Sequence, residues 1–307
     1  MVKVGLFGAG VVGRGVVELV RTQKDRIRQT LGADLEVSGI YVRDTSRPRT
    51  DQPELETTDQ ARVLESADIV VEVMGGIEPA RSIIQAAHAA GKPVVSANKM
   101  LLSNHLGEFS GPLRYEAAVA AAIPILSSLR EGFGAIRATR FEAILNGTTN
   151  LILGLMSEGM DYNAALQVAQ DKGFAEADPS SDVLGHDSLY KAVLLTHALT
   201  GEMPNWSMDA AAGITGVTLD HIRAAEAEGK VVKLIASGDI AASRVSVKPQ
   251  AVPKEAWVRI QGGRNRISII TDVAGELVWE GPGAGSHETA SAVLGDAISL
   301  GRTLVLS

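Results

Sequence analysis

Cysteine is absent from all 307 residues, which excludes disulfides, thiolate nucleophiles and Cys-based zinc sites and fits a reducing compartment, the cytoplasm. A basic excess is missing too. The 29 Lys and Arg stand against 36 Asp and Glu, for a formal net charge of -7, so no field exists to hold nucleic acid or an anionic membrane, and any phosphate binding has to be local. No apolar segment reaches spanning length, and the apolar start MVKVGLFGAGVVG carries the regular glycines of a strand and turn rather than of a signal peptide. Internal repeats and low-complexity tracts are lacking as well. The expectation is a soluble cytoplasmic protein with neither nucleic acid nor membrane as partner.

What is there is a chain long and apolar enough, at 45% hydrophobic residues, to build one large core or two ordinary ones. VKVGLFG is a short apolar run, VVGRGVVELVRTQKDRI has helical spacing and LEVSGIYVRD is a second strand, so the chain opens as a βαβ unit on a parallel sheet. ADIVVEVMGG, EPARSIIQAAHAAGK and PVVSAN continue the alternation of strand, helix and strand, with Pro79 at the helix's first turn and Gly91 past its end. From about residue 130 the pattern turns mixed: ATRFEAILNGTTNLILGLMSEG, helices over 161–172 and 183–200, then the strand-like runs SRVSVKPQAV and NRISIITDVAGELVWEG. The predicted fold is α/β: a Rossmann-type dinucleotide-binding domain over 1–130, completed by a helix over 286–307, and an α+β domain over 131–285 for substrate binding and oligomerisation.

The first chemical motif is Gly8-Ala9-Gly10-Val11-Val12-Gly13. A glycine turn lets backbone N–H groups approach a pyrophosphate while the following helix presents its positive end to the same charge. With 32 glycines in the chain the bare pattern is weak; its place between the first strand and the first helix gives it weight. A merely tight turn is the alternative. Cofactor preference is read at the end of the second strand, in YVRDTSRPR. Arg43, with Arg47 and Arg49 behind it, suits a 2′-phosphate and points to NADP, whereas Asp44 could serve the ribose of NAD.

Gly75 and Gly76 end a buried strand, and Asn98-Lys99 ends the next one at the same carboxyl edge. A lysine closing an apolar strand wants a partner, or else reaches solvent. Glu72, within an apolar run, is either paired in the sheet or at its rim. Farther on, Asp187 and Lys191 stand four apart on a helix starting near Asp182, in the favourable acid-before-base order. A solvated ion pair of ~0.3–0.5 kcal/mol with Asp182 as N-cap is the plain reading. Glu176, Asp178 and Asp182 crowd acids beside that pair, however, and crowded carboxylates want a cation. A substrate ammonium would satisfy them, while Lys191, held by Asp187, would meet a carbonyl oxygen that becomes an alkoxide or alcohol during hydride transfer.

These residues resemble the homoserine dehydrogenase family, which interconverts L-aspartate 4-semialdehyde and L-homoserine with a nicotinamide cofactor. The likeness runs in order through GLFGAGVVGRGV, VEVMGGIEPA, VVSANKMLLS, YEAAVAAAIPILSSLREG, ILNGTTNLILGLM, AQDKGFAEADPSSDVLGHDSLYKAVLL and GPGAGSHETASAVLGDAI, nearly the whole chain. It implies that Lys191, Asp187 and Lys99 are catalytic, Lys99 lying near the nicotinamide. It implies that Glu176 and Asp182 take the substrate's amino end, with Gly147 and Thr148 as further substrate contacts, in a cleft between the domains. It assigns Gly8, Gly10, Val11, Val12, Gly13, Arg43, Met74, Gly75, Asn98, Lys99 and Gly285 to the cofactor, NADP or NAD. A place in threonine and methionine biosynthesis and a homodimer or homotetramer are further implications.

The sequence departs from the family in YEAAVAAAIP, where Ala120, Ala121 and Ala122 replace a glycine-rich stretch. Family members can hold a monovalent cation such as sodium there through backbone carbonyls, which map to Glu116, Val119, Ala121 and Ile123. Alanine keeps the carbonyl but disfavours positive φ, so the path of the loop decides the matter. Little sequence follows the last predicted helix, so the regulatory domain of longer members, and feedback by threonine through it, are not expected. Two rivals stand beside this reading. One is a two-domain oxidoreductase acting on another amino acid or a sugar; the other is a non-enzymatic dinucleotide sensor, which would tolerate loss of Lys191.

Overall fold

The structure, a computed structural model, describes residues 1–306 and divides into two compact units, one of Met1–Pro124 with the segment from Gly285 onward, the other Ile125–Ala284. In the first, β1 (Val2–Phe7), β2 (Leu35–Tyr41), β3 (Glu56–Thr57), β4 (Ile69–Glu72), β5 (Val94–Ser96) and β6 (Leu113–Arg114) form a sheet of order β3-β2-β1-β4-β5-β6. Every pairing is parallel. Such a sheet needs a crossover on each connection and cover on both faces, which is why its central strands are almost continuously apolar. One face packs Val4 and Leu6 on Val16 and Val17 of α1 (Val11–Thr22), on Ile27 of α2 (Lys24–Leu31) and on the C-terminal helix. The other packs Phe7 and Val70 on α3 (Gln60–Ser66), α4 (Ala80–Ala89) and α5 (Lys99–His105). Strand order reverses beside β1, so the β1 and β4 carboxyl ends form the switch point at which such sheets bind ligands.

The C-terminal helix, Ser286–Leu306, corrects the expectation that nothing in the chain reaches spanning length: it is long and apolar enough to cross a membrane. Its apolar side is already used. Ala290, Val293 and Ala297 are wholly buried against the sheet and α1, and burying a valine such as Val293 contributes ~1.5–3 kcal/mol.

In the second unit, β7 (Ala138–Ile144), β8 (Lys230–Asp239), β9 (Arg244–Pro253), β10 (Arg264–Thr271) and β11 (Glu276–Pro282) make an antiparallel sheet of order β11-β10-β7-β8-β9. Seven helices belong to it among the described residues: α6 (Ile125–Gly132), α7 (Gly147–Ser157), α8 (Tyr162–Asp171), α9 (Ser180–Val183), α10 (His186–Thr200), α11 (Leu219–Ala227) and α12 (Lys254–Trp257). Phe141, Ile267 and Ile269 are fully buried in the sheet.

The structure revises several sequence expectations. The single helix over 183–200 is two, because Gly185 takes a left-handed conformation at φ 84°, which an L side chain would resist. Asp182 therefore belongs to the short α9 and does not cap α10. The run after residue 264 is a hairpin, turning at Asp272–Gly275 where Thr271 N–H donates to the Gly275 carbonyl at 2.9 Å. Lys99 does not close β5 but opens α5. Strand β8, an interior strand between β7 and β9, is the longest element of the second sheet's interior that sequence reading did not single out.

Candidate active site

In the first unit the chain leaves β1 at Gly8, with φ 112°, and enters α1 with Gly10 as its N-cap. The turn is tight enough that a methyl group on Gly13 would lie 2.0 Å from the Gly8 carbonyl oxygen, while one on Gly10 would meet nothing within 4 Å. The first glycine distance explains why no larger residue fits. The second leaves open space before the positive end of α1, where a phosphate belongs. A cavity of about 230 Å³ opens here, lined among others by Gly8, Gly10, Tyr41, Arg43, Arg49 and Met74.

The residues present fit a dinucleotide. Arg49 lines the cavity and its Nε is buried without a hydrogen-bond partner, a donor that an anionic ligand would satisfy. Asp44, the alternative ribose ligand, has its carboxylate taken by the Ser46 N–H and hydroxyl at 2.8 and 2.7 Å; these bonds hold it below the usual carboxylate range. Arg47 is exposed and is not part of the wall. Val11 is exposed at the start of α1, and Val12 packs half-buried on the core.

The neighbouring strand ends are tied together. Glu72 is wholly buried; its carboxylate accepts the Met74 N–H at 2.8 Å and the Ser96 hydroxyl at 2.6 Å. Burial raises its pKa, opposed by those bonds. Of the two readings open at the sequence level, the paired one holds. Asn98 caps α5 by accepting the Leu101 N–H at 3.1 Å and donates to the Gly76 carbonyl at 2.6 Å. Gly75 and Gly76 have φ of 74° and 76°, the left-handed turn this tie requires. Lys99 follows directly, half-buried at the first helical position. In the alanine-rich loop, Glu116 N–H donates to Asp296 of the C-terminal helix at 2.7 Å. Ala120 and Ala121 stand at φ 56° and 42°, so they adopt the turn usually left to glycine. Gly285, at φ 143°, accepts the Thr289 N–H and starts the C-terminal helix.

In the second unit the charges around α10 form one network. Lys191 Nζ donates to Asp187 Oδ2 at 2.7 Å and to the Leu145 carbonyl at 2.7 Å. Side-chain exposures of 12% and 8% remove this pair from the class of solvated surface bridges, whose contribution is small. Asn146, at the end of β7 and 5% exposed, is the residue that sequence reasoning missed. Its Nδ2 donates to Asp182 Oδ1 at 2.7 Å and to Asp187 Oδ2 at 2.9 Å, while its Oδ1 caps α7 by accepting the Thr149 N–H at 2.9 Å. The cap was readable, since Asn directly precedes an apolar helix; the reach to two acids 36 and 41 residues away was not. Burial first, and the Asp187 charge second, raise the pKa of Asp182, opposed by Asn146 and Lys191.

Thr148, also buried, donates its hydroxyl to the Phe174 carbonyl at 2.7 Å and so ties down the loop before α9. Gly147 lets Gly263 pass: a methyl there would stand 2.8 Å from the Gly263 Cα. Glu176 is not drawn into the network. Its side chain is exposed, and its backbone carbonyl accepts Gln170 at 3.2 Å.

Hydride chemistry on an alcohol needs a nicotinamide held by its phosphates and a cation fixed where the reacting oxygen gains charge. A parallel sheet with a dinucleotide cradle and a second unit carrying a buried acid–lysine pair supply those two parts, and the class they define is the NAD(P)-dependent oxidoreductase. Residues 8–117 match the family described as "Homoserine dehydrogenase, NAD binding domain" and 124–298 that described as "Homoserine dehydrogenase". The homoserine dehydrogenase of Corynebacterium glutamicum is 38% identical over 99% of this chain and 73% of its own length. The crystal structure of a homoserine dehydrogenase from Thiobacillus denitrificans superposes with a TM-score of 0.92 at 33% identity, over 100% of this chain and 74% of that one. A hyperthermophilic archaeal homoserine dehydrogenase in complex with NADPH does so at 0.83 and 27% identity, over 99% and 98%. The chain belongs to the homoserine dehydrogenase family, and its cofactor is a nicotinamide dinucleotide.

The cradle supports a direct prediction. Gly13→Ala forces a methyl onto the Gly8 carbonyl, an overpacking of ~1–3 kcal/mol, so affinity for the reduced dinucleotide should fall ~10- to 100-fold. Fluorescence titration measures this, and unchanged affinity would contradict the placement of the phosphates.

Proposed function

We propose that this protein interconverts L-aspartate 4-semialdehyde and L-homoserine, with NADP preferred over NAD, and that Lys191 is the group that stabilises charge on the reacting oxygen. The observation that carries the reading is the Lys191 amine held at 2.7 Å by both Asp187 and the Leu145 carbonyl. An ammonium so fixed does not reorganise when an oxyanion develops beside it. Asp182, with Asn146 holding one carboxylate oxygen, receives the substrate ammonium, whose charge favours ionised Asp182 against the burial that opposes it. Glu176, exposed on the preceding loop, adds a second acid for the same ammonium. The nicotinamide supplies or accepts the hydride when bound. Asn98 fixes the start of α5 and with it Lys99, assigned to the nicotinamide side of the reaction.

The preference for NADP rests on Arg43 and Arg49 lining the nucleotide cavity while Asp44 is engaged by Ser46. Arg43→Ala should raise the KM for NADP about tenfold or more, as loss of a charge-assisted contact of ~1.5–3 kcal/mol implies, and leave that for NAD nearly unchanged. Equal effects on both would remove the argument. A monovalent cation belongs to the same reading, held by the carbonyls of Glu116, Val119, Ala121 and Ile123. Its support is the left-handed conformation of Ala120 and Ala121, the conformation that glycine most readily supplies. A cytoplasmic homodimer or homotetramer completes the proposal, by family membership.

The deciding experiment is absorbance of the reduced nicotinamide band with L-homoserine and either cofactor. Homoserine-dependent reduction establishes reaction and substrate. Cofactor binding without turnover of any amino-acid aldehyde or alcohol would instead indicate a sensor.

A further inference from the structure

A second cavity, of about 570 Å³, lies wholly within the second unit. Its walls carry four lysines from three places in the sequence, Lys172 after α8, Lys230 and Lys233 on β8, and Lys254 at the start of α12, against two acids, Glu158 and Glu226. Leu155, Val231 and Val258 supply apolar wall between them. None of these residues belongs to the network around Lys191.

Lys233 sets this cavity apart from an ordinary basic surface. It is 2% exposed, and its Nζ donates to Asn150 Oδ1 at 2.7 Å and to the Ile260 carbonyl at 2.7 Å. Both acceptors are neutral, and among the described residues no carboxylate stands within ion-pair distance of Lys233, Lys172 or Lys254; Lys230 alone is paired, with Glu228 at 2.7 Å. An ammonium offers three N–H groups, and taking one out of water without a counter-charge is costly. The local geometry is firm. Asn150, itself buried, also donates to the Gly262 carbonyl at 2.9 Å, so α7 and the 260–262 loop hold the lysine from two sides. A lysine whose only work was to join these elements could be replaced by a neutral donor without the burden of a buried charge. Lys172 and Lys254, both exposed, stand on the outer part of the same wall.

We propose that this cavity binds a small oxyanion-bearing metabolite, its phosphate or carboxylate group seated on Lys233 and its remaining charge met by Lys172 and Lys254. The apolar wall leaves room for a short carbon skeleton. The inference stands apart from the dehydrogenase reading, because it concerns binding and not turnover. Burial lowers Lys233 to a pKa of about 8, so above that pH the amine is largely neutral and an arriving anion draws a proton onto it. Below pH 7 the amine is already charged and binding takes up none. Lys172, Lys230 and Lys254 add positive potential on the same walls, and Glu158 and Glu226 oppose it.

The test is titration calorimetry on the purified full-length protein, with inorganic phosphate in one arm and succinate in the other, at pH 6.5 and pH 8.5 and in two buffers of different ionisation heat. Saturable binding in at least one arm, with proton uptake at pH 8.5 only, is expected; the arm that responds identifies the group. Lys233→Met should weaken binding about tenfold or more and abolish the uptake. Lys172→Ala and Lys254→Ala change exposed residues that leave the fold intact, should each weaken binding several-fold, and decide the matter if Lys233→Met fails to fold. Absence of saturable binding in both arms overturns the proposal. So does binding that survives the lysine substitutions, and binding lost instead on Arg49→Ala, which would place the anion in the nucleotide cavity.

Discussion

Lys191→Ala is expected to lower kcat by about a thousandfold or more, the scale on which a fixed charge or proton donor at the reacting oxygen acts, with affinity for the dinucleotide unchanged. The amine is held by Asp187 and by the Leu145 carbonyl, and alanine offers nothing in its place. The dinucleotide cradle lies in the other unit, built by Gly8, Gly10 and Arg43, so its binding reports on folding independently of turnover. Asp187 loses its cation but keeps the Asn146 amide at 2.9 Å, which limits the loss of stability that a stranded carboxylate would cause. Lys191→Arg is not expected to restore the rate, since a planar fork cannot take the position of a tetrahedral ammonium between two acceptors. Steady-state kinetics with homoserine and a binding titration decide the point. Near-normal turnover in the alanine variant would remove Lys191 from the chemistry.

The second large effect is expected at Asn146, a positioning residue. Its single amide nitrogen serves Asp182 and Asp187 together, and each bond to a charged acceptor contributes ~1.5–3 kcal/mol. Asn146→Ala should therefore lower kcat/KM for homoserine about 10- to 100-fold at neutral pH. The form of the pH profile carries the argument. Asp182 is already raised by burial and by Asp187, and the Asn146 bond is the leading influence that lowers it. Without that bond its pKa climbs further, so the ionised form that receives an ammonium is lost at higher pH as the solution is made acid. The acid limb of kcat/KM should move upward, with activity partly regained at alkaline pH. Asn146→Ala also removes the cap of α7, worth ~1 kcal/mol. Asn146→Ser retains a capping hydroxyl but cannot span both carboxylates, so it should recover stability while the displaced acid limb persists. An unmoved limb in both variants would assign Asn146 to the helix cap alone.

How much of this was legible in the sequence depends on how local each feature is. The β1 to α1 opening was readable because the strand period, the glycine offsets and the helix period all act within some twenty residues. The pairing of Asp187 with Lys191 was readable for the same reason, since four residues make one helical turn. Reading failed where one residue breaks a period or charge interrupts a pattern. Gly185 ends one helix and begins another, yet a single glycine within a helical pattern does not by itself mark a break. Lys230 and Lys233 punctuate β8, so its place inside the sheet does not show as a clean apolar run. Glu72 could not be placed either, because whether an acid within an apolar run finds partners depends on Ser96, one crossover away.

By itself, then, the sequence determined the class of fold, the dinucleotide cradle and the acid–lysine pair, all properties of short-range stereochemistry and hydrophobic period. Tertiary structure decided the rest. Only packing brings Asn146 to Asp182 and Asp187, leaves Arg49 Nε without a partner in the nucleotide cavity, holds Ala120 and Ala121 in a left-handed turn, and gathers four lysines around one cavity. The physical reason is the same in each case. Side chains far apart in the chain meet at angles and distances fixed by how sheets and helices interdigitate, and the free energy of a buried polar group depends on which partners that packing supplies.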